Sequence, residues 1–260
     1  TQILSGHTNN WNNKYGALSR ENINSLYKWI LDNQEKYNIQ HVFGVGDIVE
    51  SYDAAKAVNE WEKAKAAIEQ MNGKISYTLV RGDSHDYSPY MNQYLGTEEY
   101  YSMFKPGESE FPTRDSEGNV KMDTGYRTFT VGEEKYLFLM LDSSPERELI
   151  EWGEKVIKAH PCHKVILTTH MYMTGNGELN THGGNIWDAY KDEPNMFMVL
   201  CGHSANHDDN IVVRQDRGTN GNLVTTMMIN PQYMDQYGKN VGCYGMVALL
   251  YFSRDGKTVS

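Results

Sequence analysis

Four short apolar runs in this chain each end on a residue able to hold a metal ion, and that pattern narrows the folds open to it. The runs cover residues 41–47, 75–83, 165–170 and 196–203, and they end on Asp47, Asp83, His170 and His203. Helical periodicities lie before or between most of them, so the runs read as buried strands of an α/β sheet. Sheets of this kind bind ligands in the crevice at the carboxyl ends of their strands. Two Asp and two His brought to one edge are hard-oxygen and imidazole donors suited to zinc, manganese or iron. A single His after an apolar run is commonly a satisfied structural residue. Four ligand-type residues at four strand ends point instead to a metal site.

The chain has 260 residues, enough for one large α/β domain with a full core. It opens on Thr1 rather than Met, so residues 1–260 read as a single domain cut from a longer chain. A formal charge of −10 excludes bulk nucleic-acid binding, which needs a basic footprint. It leaves room for an anionic substrate, because a bound dication reverses the local field. Cys162, Cys201 and Cys243 form no CxxC or Cys/His cluster, so zinc of the finger type has no support. No apolar stretch approaches the roughly 18 residues of a membrane span.

Along the chain, Ser19 caps a helix running to about Tyr37. Asp53 caps a second, with Val58, Trp61, Ala64, Ile68 and Met71 on one face. Residues 84–124 read as a long polar, Tyr-rich loop region, and 126–131 with 135–142 as a hairpin. Ser144-Pro145 opens a helix carrying Leu149, Trp152 and Val156, and Asp142-Ser143-Ser144 reads as its cap. A Gly/Asn-rich loop is expected over 171–184, a short helix over 186–190, and strands over 211–214, 223–229 and 244–252. This order suggests a two-sheet β-sandwich flanked by helices rather than one doubly wound sheet. A central strand is expected ahead of the first helix, so the native polypeptide is read as extending upstream of Thr1.

The ordered set Gly46-Asp47, Gly82-Asp83-Ser84-His85-Asp86, Thr169-His170 and Gly202-His203 resembles the calcineurin-like metallophosphoesterases. Their motifs run DxH, GD, GNHD, H and GHxH. The surrounding text looks most like the bacterial extracellular branch of that family, whose first motif is DTQ, and Thr1-Gln2 would be its last two letters. The resemblance implies two divalent metal ions (Mn, Fe or Zn) and hydrolysis of a phosphate mono- or diester by metal-activated hydroxide. It makes Asp47 the bridging carboxylate, places His170 and His203 on the second metal, and sets Asp83 where the family has a metal-binding Asn. Gln2 would offer a neutral carbonyl to the first metal, and His85 would contact the phosphate and protonate the leaving group. A phosphorylated small molecule or polymer is the implied substrate, and an exported or cell-envelope location follows from the same branch.

Departures from the pattern leave alternatives open. The segment Gly82 to Asp86 is one residue longer than GNHD, so the ligand place falls on Asp83 or on Ser84. Ala205 stands where GHxH has its second histidine. His207 either reaches in from a longer loop or is a surface histidine beside Asp208 and Asp209. Two functions are therefore carried forward: a metal-dependent phosphoesterase, and a degenerate phosphoesterase fold acting as a non-catalytic binding module for an anionic ligand. His182 either lines the cleft or is a solvated loop histidine. No Gly-x-Ser-x-Gly elbow appears, so serine-hydrolase chemistry has no positive support.

Overall fold

The computed structural model describes residues 24–49, 54–83, 88–204, 211–230, 247–254, 256 and 258–260. The expected strand before the first helix, the caps Ser19 and Asp53, and the sequence positions Gln2, Ser84, His85, Ala205 and His207 lie outside them. Helix α1 covers residues 24–32 and is followed by a short α2 (Gln34–Tyr37). Strand β1 (His41–Gly44), helix α3 (Ala54–Ile68) and strand β2 (Ser76–Leu79) come next. The amphipathic spacing of α3 works as read, since Trp61, Ala64 and Ile68 are all buried. Strands β1 and β2 pair in parallel as a two-stranded sheet among the described residues.

The segment expected to be a loop is largely structured. It carries α4 (Ser88–Leu95), α5 (Glu98–Tyr101) and the short strand β3 (Ser109–Glu110). Met91, Leu95, Tyr100, Phe111 and Met122 from this stretch are buried in the same core as Trp61 and Tyr77. Thr97 caps α5 by accepting from the Tyr100 N–H. The apolar residues here follow neither a helical nor a strand period for long, which is why the sequence pattern misses them.

Strands β4 (Gly125–Val131) and β5 (Glu134–Met140) form the expected hairpin. Helix α6 (Arg147–Ala159), strand β6 (Lys164–Thr168), helix α7 (Thr181–Tyr190), and strands β7 (Met196–Cys201), β8 (Ile211–Arg217) and β9 (Leu223–Ile229) complete the elements. Among the described residues the larger sheet has seven strands in the order β3-β4-β5-β6-β7-β9-β8. Its centre, β5-β6-β7-β9, is parallel. Strands β5, β6 and β7 are covered on both faces, which explains their near-continuous apolar text, whereas β9 alternates buried with more exposed residues. Leu137, Leu139, Val165, Leu167 and Val199 pack with Ile150, Val156, Ile157 and Ile186 of α6 and α7. Tyr136, Phe138, Ile166, Met198 and Leu200 pack on the opposite face with Val45 and Phe43, at the β1 side. The Phe43 and Phe138 rings meet at 4.9 Å, so the two sheets face each other as a sandwich.

Two further boundaries differ from the sequence reading. Helix α7 begins five residues before its expected start, because Asn180 accepts from the Gly183 N–H and caps it. Gly183 and Gly184 in its first turn hide that start, and His182 sits half-buried there rather than in a loop. The strand expected over 244–252 is absent from residues 247–251. Phe252 instead makes an isolated bridge to Val259, and Tyr251 exchanges backbone hydrogen bonds with Ser260.

Candidate metal centre

The strand ends converge. Asp47 follows β1 by three residues, Asp83 follows β2 by four, His170 follows β6 by two, and His203 follows β7 by two. The smaller sheet thus supplies the two carboxylates and the larger sheet the two imidazoles. Parallel pairing continues past the strands and aligns these ends: Thr169 N–H donates to Leu200 O at 3.1 Å and Gly202 N–H to His170 O at 3.0 Å. On the smaller sheet Val80 N–H donates to Gly44 O at 3.1 Å.

Asp47, His170 and His203 present ligand atoms that all lie within 4.8 Å of one another. The two imidazole rings are 5.0 Å apart, nearly perpendicular at 74°. Asp83 lies outside that tight group but beside it, its Oδ2 3.7 Å from His203 Nδ1. Asp47 and His170 are buried, whereas His203 is exposed.

The donor set fits a divalent ion. His170 Nδ1 is 2.7 Å from the carbonyl oxygen of Val45. A carbonyl only accepts, so Nδ1 carries the proton and the lone pair of a neutral ring is left on Nε2. That Nε2 is fully buried and lies 3.1 Å from Asp47 Oδ1, yet it makes no hydrogen bond. Two such atoms that close share a proton or a metal ion between them, and a backbone carbonyl behind a ligating imidazole is the usual second partner at metal sites.

Backbone conformation at the centre is strained in a way the sequence pattern did not show. Asp47 and His203 both adopt left-handed conformations, with φ of 53° and 64°. Such outliers in non-glycine residues cluster at functional sites. Gly46, at φ 92°, has no room for a side chain: a Cβ there would lie 2.6 Å from His170 Nδ1 and 2.8 Å from Gly82 Cα.

The family model for calcineurin-like phosphoesterase matches residues 7–207, which is most of the chain. The chain belongs to the calcineurin-like phosphoesterases. It is 26% identical over 235 residues to the uncharacterized protein YvnB of Bacillus subtilis (strain 168), covering 87% of this chain. It spans only 17% of the length of that curated relative. Among solved structures it is similar to a dimetal phosphatase from Danio rerio, with a TM-score of 0.54 and 11% identity. That match covers 83% of this chain and 78% of the other, and it supports the fold. The calcineurin-like phosphoesterase YfkN from Bacillus subtilis also matches, with a TM-score of 0.35 and 12% identity over 78% of this chain and 72% of that one.

Two residues of this calcineurin-like centre escaped the sequence reading. Asn230, just after β9, donates from Nδ2 to the carbonyls of both His203 and Ser204 at 3.1 Å. Asp142, read as a helix cap, instead accepts a two-point contact from Arg81. Helix α6 starts at Arg147, with Glu146 at its N-cap. The available signal was that Asp142, like Asp47, ends an apolar run.

Proposed function

We propose that this domain hydrolyses phosphate mono- or diesters with two divalent metal ions, drawn from Mn, Fe and Zn. The observation that carries the reading is the grouping of Asp47, His170 and His203, with the lone-pair nitrogen of His170 aimed beside the Asp47 carboxylate. Dications held there would polarise a phosphoryl group and acidify water for attack at phosphorus. Asp47, His170, His203 and Asp83 are assigned as ligands, with Gln2 and His207 as further donors toward the first ion. The Val45 carbonyl fixes the tautomer of the neutral His170 ring, leaving its Nε2 lone pair for the ion. His85 is assigned as the general acid that protonates the departing oxygen, a role worth on the order of 10²–10⁴-fold.

The substrate class we assign is a phosphorylated small molecule or polymer. We further place the chain in the bacterial, exported branch with a DTQ-type first motif, as one catalytic domain within a longer protein. The exposed position of His203 supports substrate entry from its side. Hydrolysis of aryl phosphate mono- and diesters with added manganese, against a chelator control, tests the reading. Chelator-sensitive turnover is expected. A folded, manganese-loaded protein that turns over neither ester refutes catalysis and leaves the non-catalytic binding module. One bound ion per chain instead of two favours that module as well.

A further inference from the structure

The centre is assembled from two sheets, so something must hold the carboxylate-bearing edge in register with the imidazole-bearing edge. Apolar packing between the sheets sets their spacing but slides easily, because it has no directional contacts. Beside the hydrogen bond from His170 to Val45, a side-chain ion pair joins the two edges. Arg81, between β2 and Asp83, meets the Asp142 carboxylate side-on, with Nη2 donating to Oδ1 at 2.6 Å and Nε to Oδ2 at 3.2 Å and Oδ1 at 3.0 Å. Its remaining nitrogen, Nη1, donates to the backbone carbonyl of Asp83 at 3.1 Å. Asp142 follows β5 in the larger sheet. Its own carbonyl accepts from Thr169 Oγ1 at 3.0 Å, the residue immediately before His170, and its N–H donates to Thr124 Oγ1 at 3.2 Å.

We propose that Arg81 and Asp142 are a positioning pair that fixes Asp83 on one sheet against His170 and His203 on the other. All three guanidinium nitrogens are engaged within the protein, and both side chains are about four-fifths buried, so Arg81 is a brace and not a substrate clamp. The fork geometry suits this work, because two parallel N–H···O bonds fix an angle as well as a distance. A lysine would supply the charge without the fork.

The role rests on the phosphoesterase reading, and its test separates the two. Manganese titration by calorimetry is run on the wild type, Arg81→Met, Arg81→Lys and Asp142→Asn, alongside metal-free thermal unfolding. Loss of outer contacts of this kind lowers metal affinity by about 10–100-fold, and that weakening is expected for Arg81→Met. Arg81→Lys should recover part of it, and Asp142→Asn should fall between. A field effect gives the opposite sign, because removing Arg81 leaves an extra negative charge near the site and tightens dication binding. Arg81→Met that binds manganese as tightly as the wild type, or more tightly, overturns the positioning role. If Arg81→Met does not fold, unchanged affinity in Arg81→Lys and Asp142→Asn overturns it equally. A folded wild type that takes up no manganese overturns the phosphoesterase reading and the pair's role with it.

Discussion

Replacing Gly46 by alanine puts the packing of the metal centre to a direct test. The glycine sits at φ 92°, where an L-residue costs about 1–2 kcal/mol. Its missing side chain faces three atoms: a Cβ would lie 2.6 Å from His170 Nδ1, 2.8 Å from Gly82 Cα and 2.9 Å from Gly82 N. Two of those belong to backbone and cannot swing away. Forcing a methyl group into such a site costs about 1–3 kcal/mol more, so Gly46→Ala should destabilise by roughly 2–5 kcal/mol. At about 2–4 °C per kcal/mol for a domain of this size, Tm should fall by about 4–20 °C. Gly73 is the control, since it too has a left-handed φ, 66°, but nothing within 4 Å of its Cβ position. Gly73→Ala should carry only the conformational part, about 1–2 kcal/mol. Any yielding of the His170 ring in Gly46→Ala also stretches its bond to Val45 O, so manganese affinity should drop together with Tm. Thermal unfolding of both variants, with manganese titration, decides the matter. Equal Tm losses in Gly46→Ala and Gly73→Ala would refute the close approach of Gly46 to His170 and Gly82.

Asn230→Leu keeps the approximate side-chain shape and adds no charge, but removes both donations to the His203 and Ser204 carbonyls. At about 0.5–1.5 kcal/mol per hydrogen bond, it should destabilise by about 1–3 kcal/mol and weaken manganese binding in calorimetry; unchanged affinity would detach Asn230 from the site. His41, enclosed by Phe43, Phe129 and Phe138, has its pKa held well below the ordinary 6.5, by burial first and the Arg127 charge second. Its folded pKa is depressed, so as pH falls through about 6.5 the unfolded chain takes up a proton that the folded ring refuses. Stability should therefore fall with acid below that point, with a slope approaching 1.4 kcal/mol per pH unit, and His41→Gln should flatten that part of the denaturation-versus-pH curve. Manganese at 100 times its dissociation constant should add about 2.7 kcal/mol of stability, seen as a higher Tm that chelation reverses. His170→Ala should lose that gain, and a full gain in the variant would place the ion elsewhere.

The four ligand-type residues were legible because each closes an apolar run, although the strands themselves stop two to four residues before them. Asp47, His170 and His203 accordingly meet, with Asp83 beside His203. The central helices were legible for the same kind of reason, as with Trp61, Ala64 and Ile68 on α3. Residues 88–124 were not, because Met91, Tyr100, Phe111 and Met122 are buried singly by contacts from distant elements rather than along one face. The pairing of Arg81 with Asp142 joins residues far apart in the chain, and no local pattern encodes it. Likewise, nothing in the text around His203 announces that Asn230 will hold its carbonyl.

The left-handed residues show why the Gly-Asp and Gly-His order recurs at this centre. Asp47 and His203 each carry a backbone strain of about 1–2 kcal/mol, and such strain persists only where the surroundings over-determine it. Each follows a glycine that lets another strand end come close. Gly46 admits the His170 ring, and a Cβ on Gly202 would lie 3.3 Å from Val45 and 3.5 Å from His170 Nδ1. His170 is therefore held between the two strained turns, with its Nδ1–H donating to the carbonyl of Val45, the residue just before Gly46. A shift in either turn moves the same imidazole. The ligands are coupled through that ring before any ion arrives, so losses in metal affinity at the two turns should not add as independent sites would.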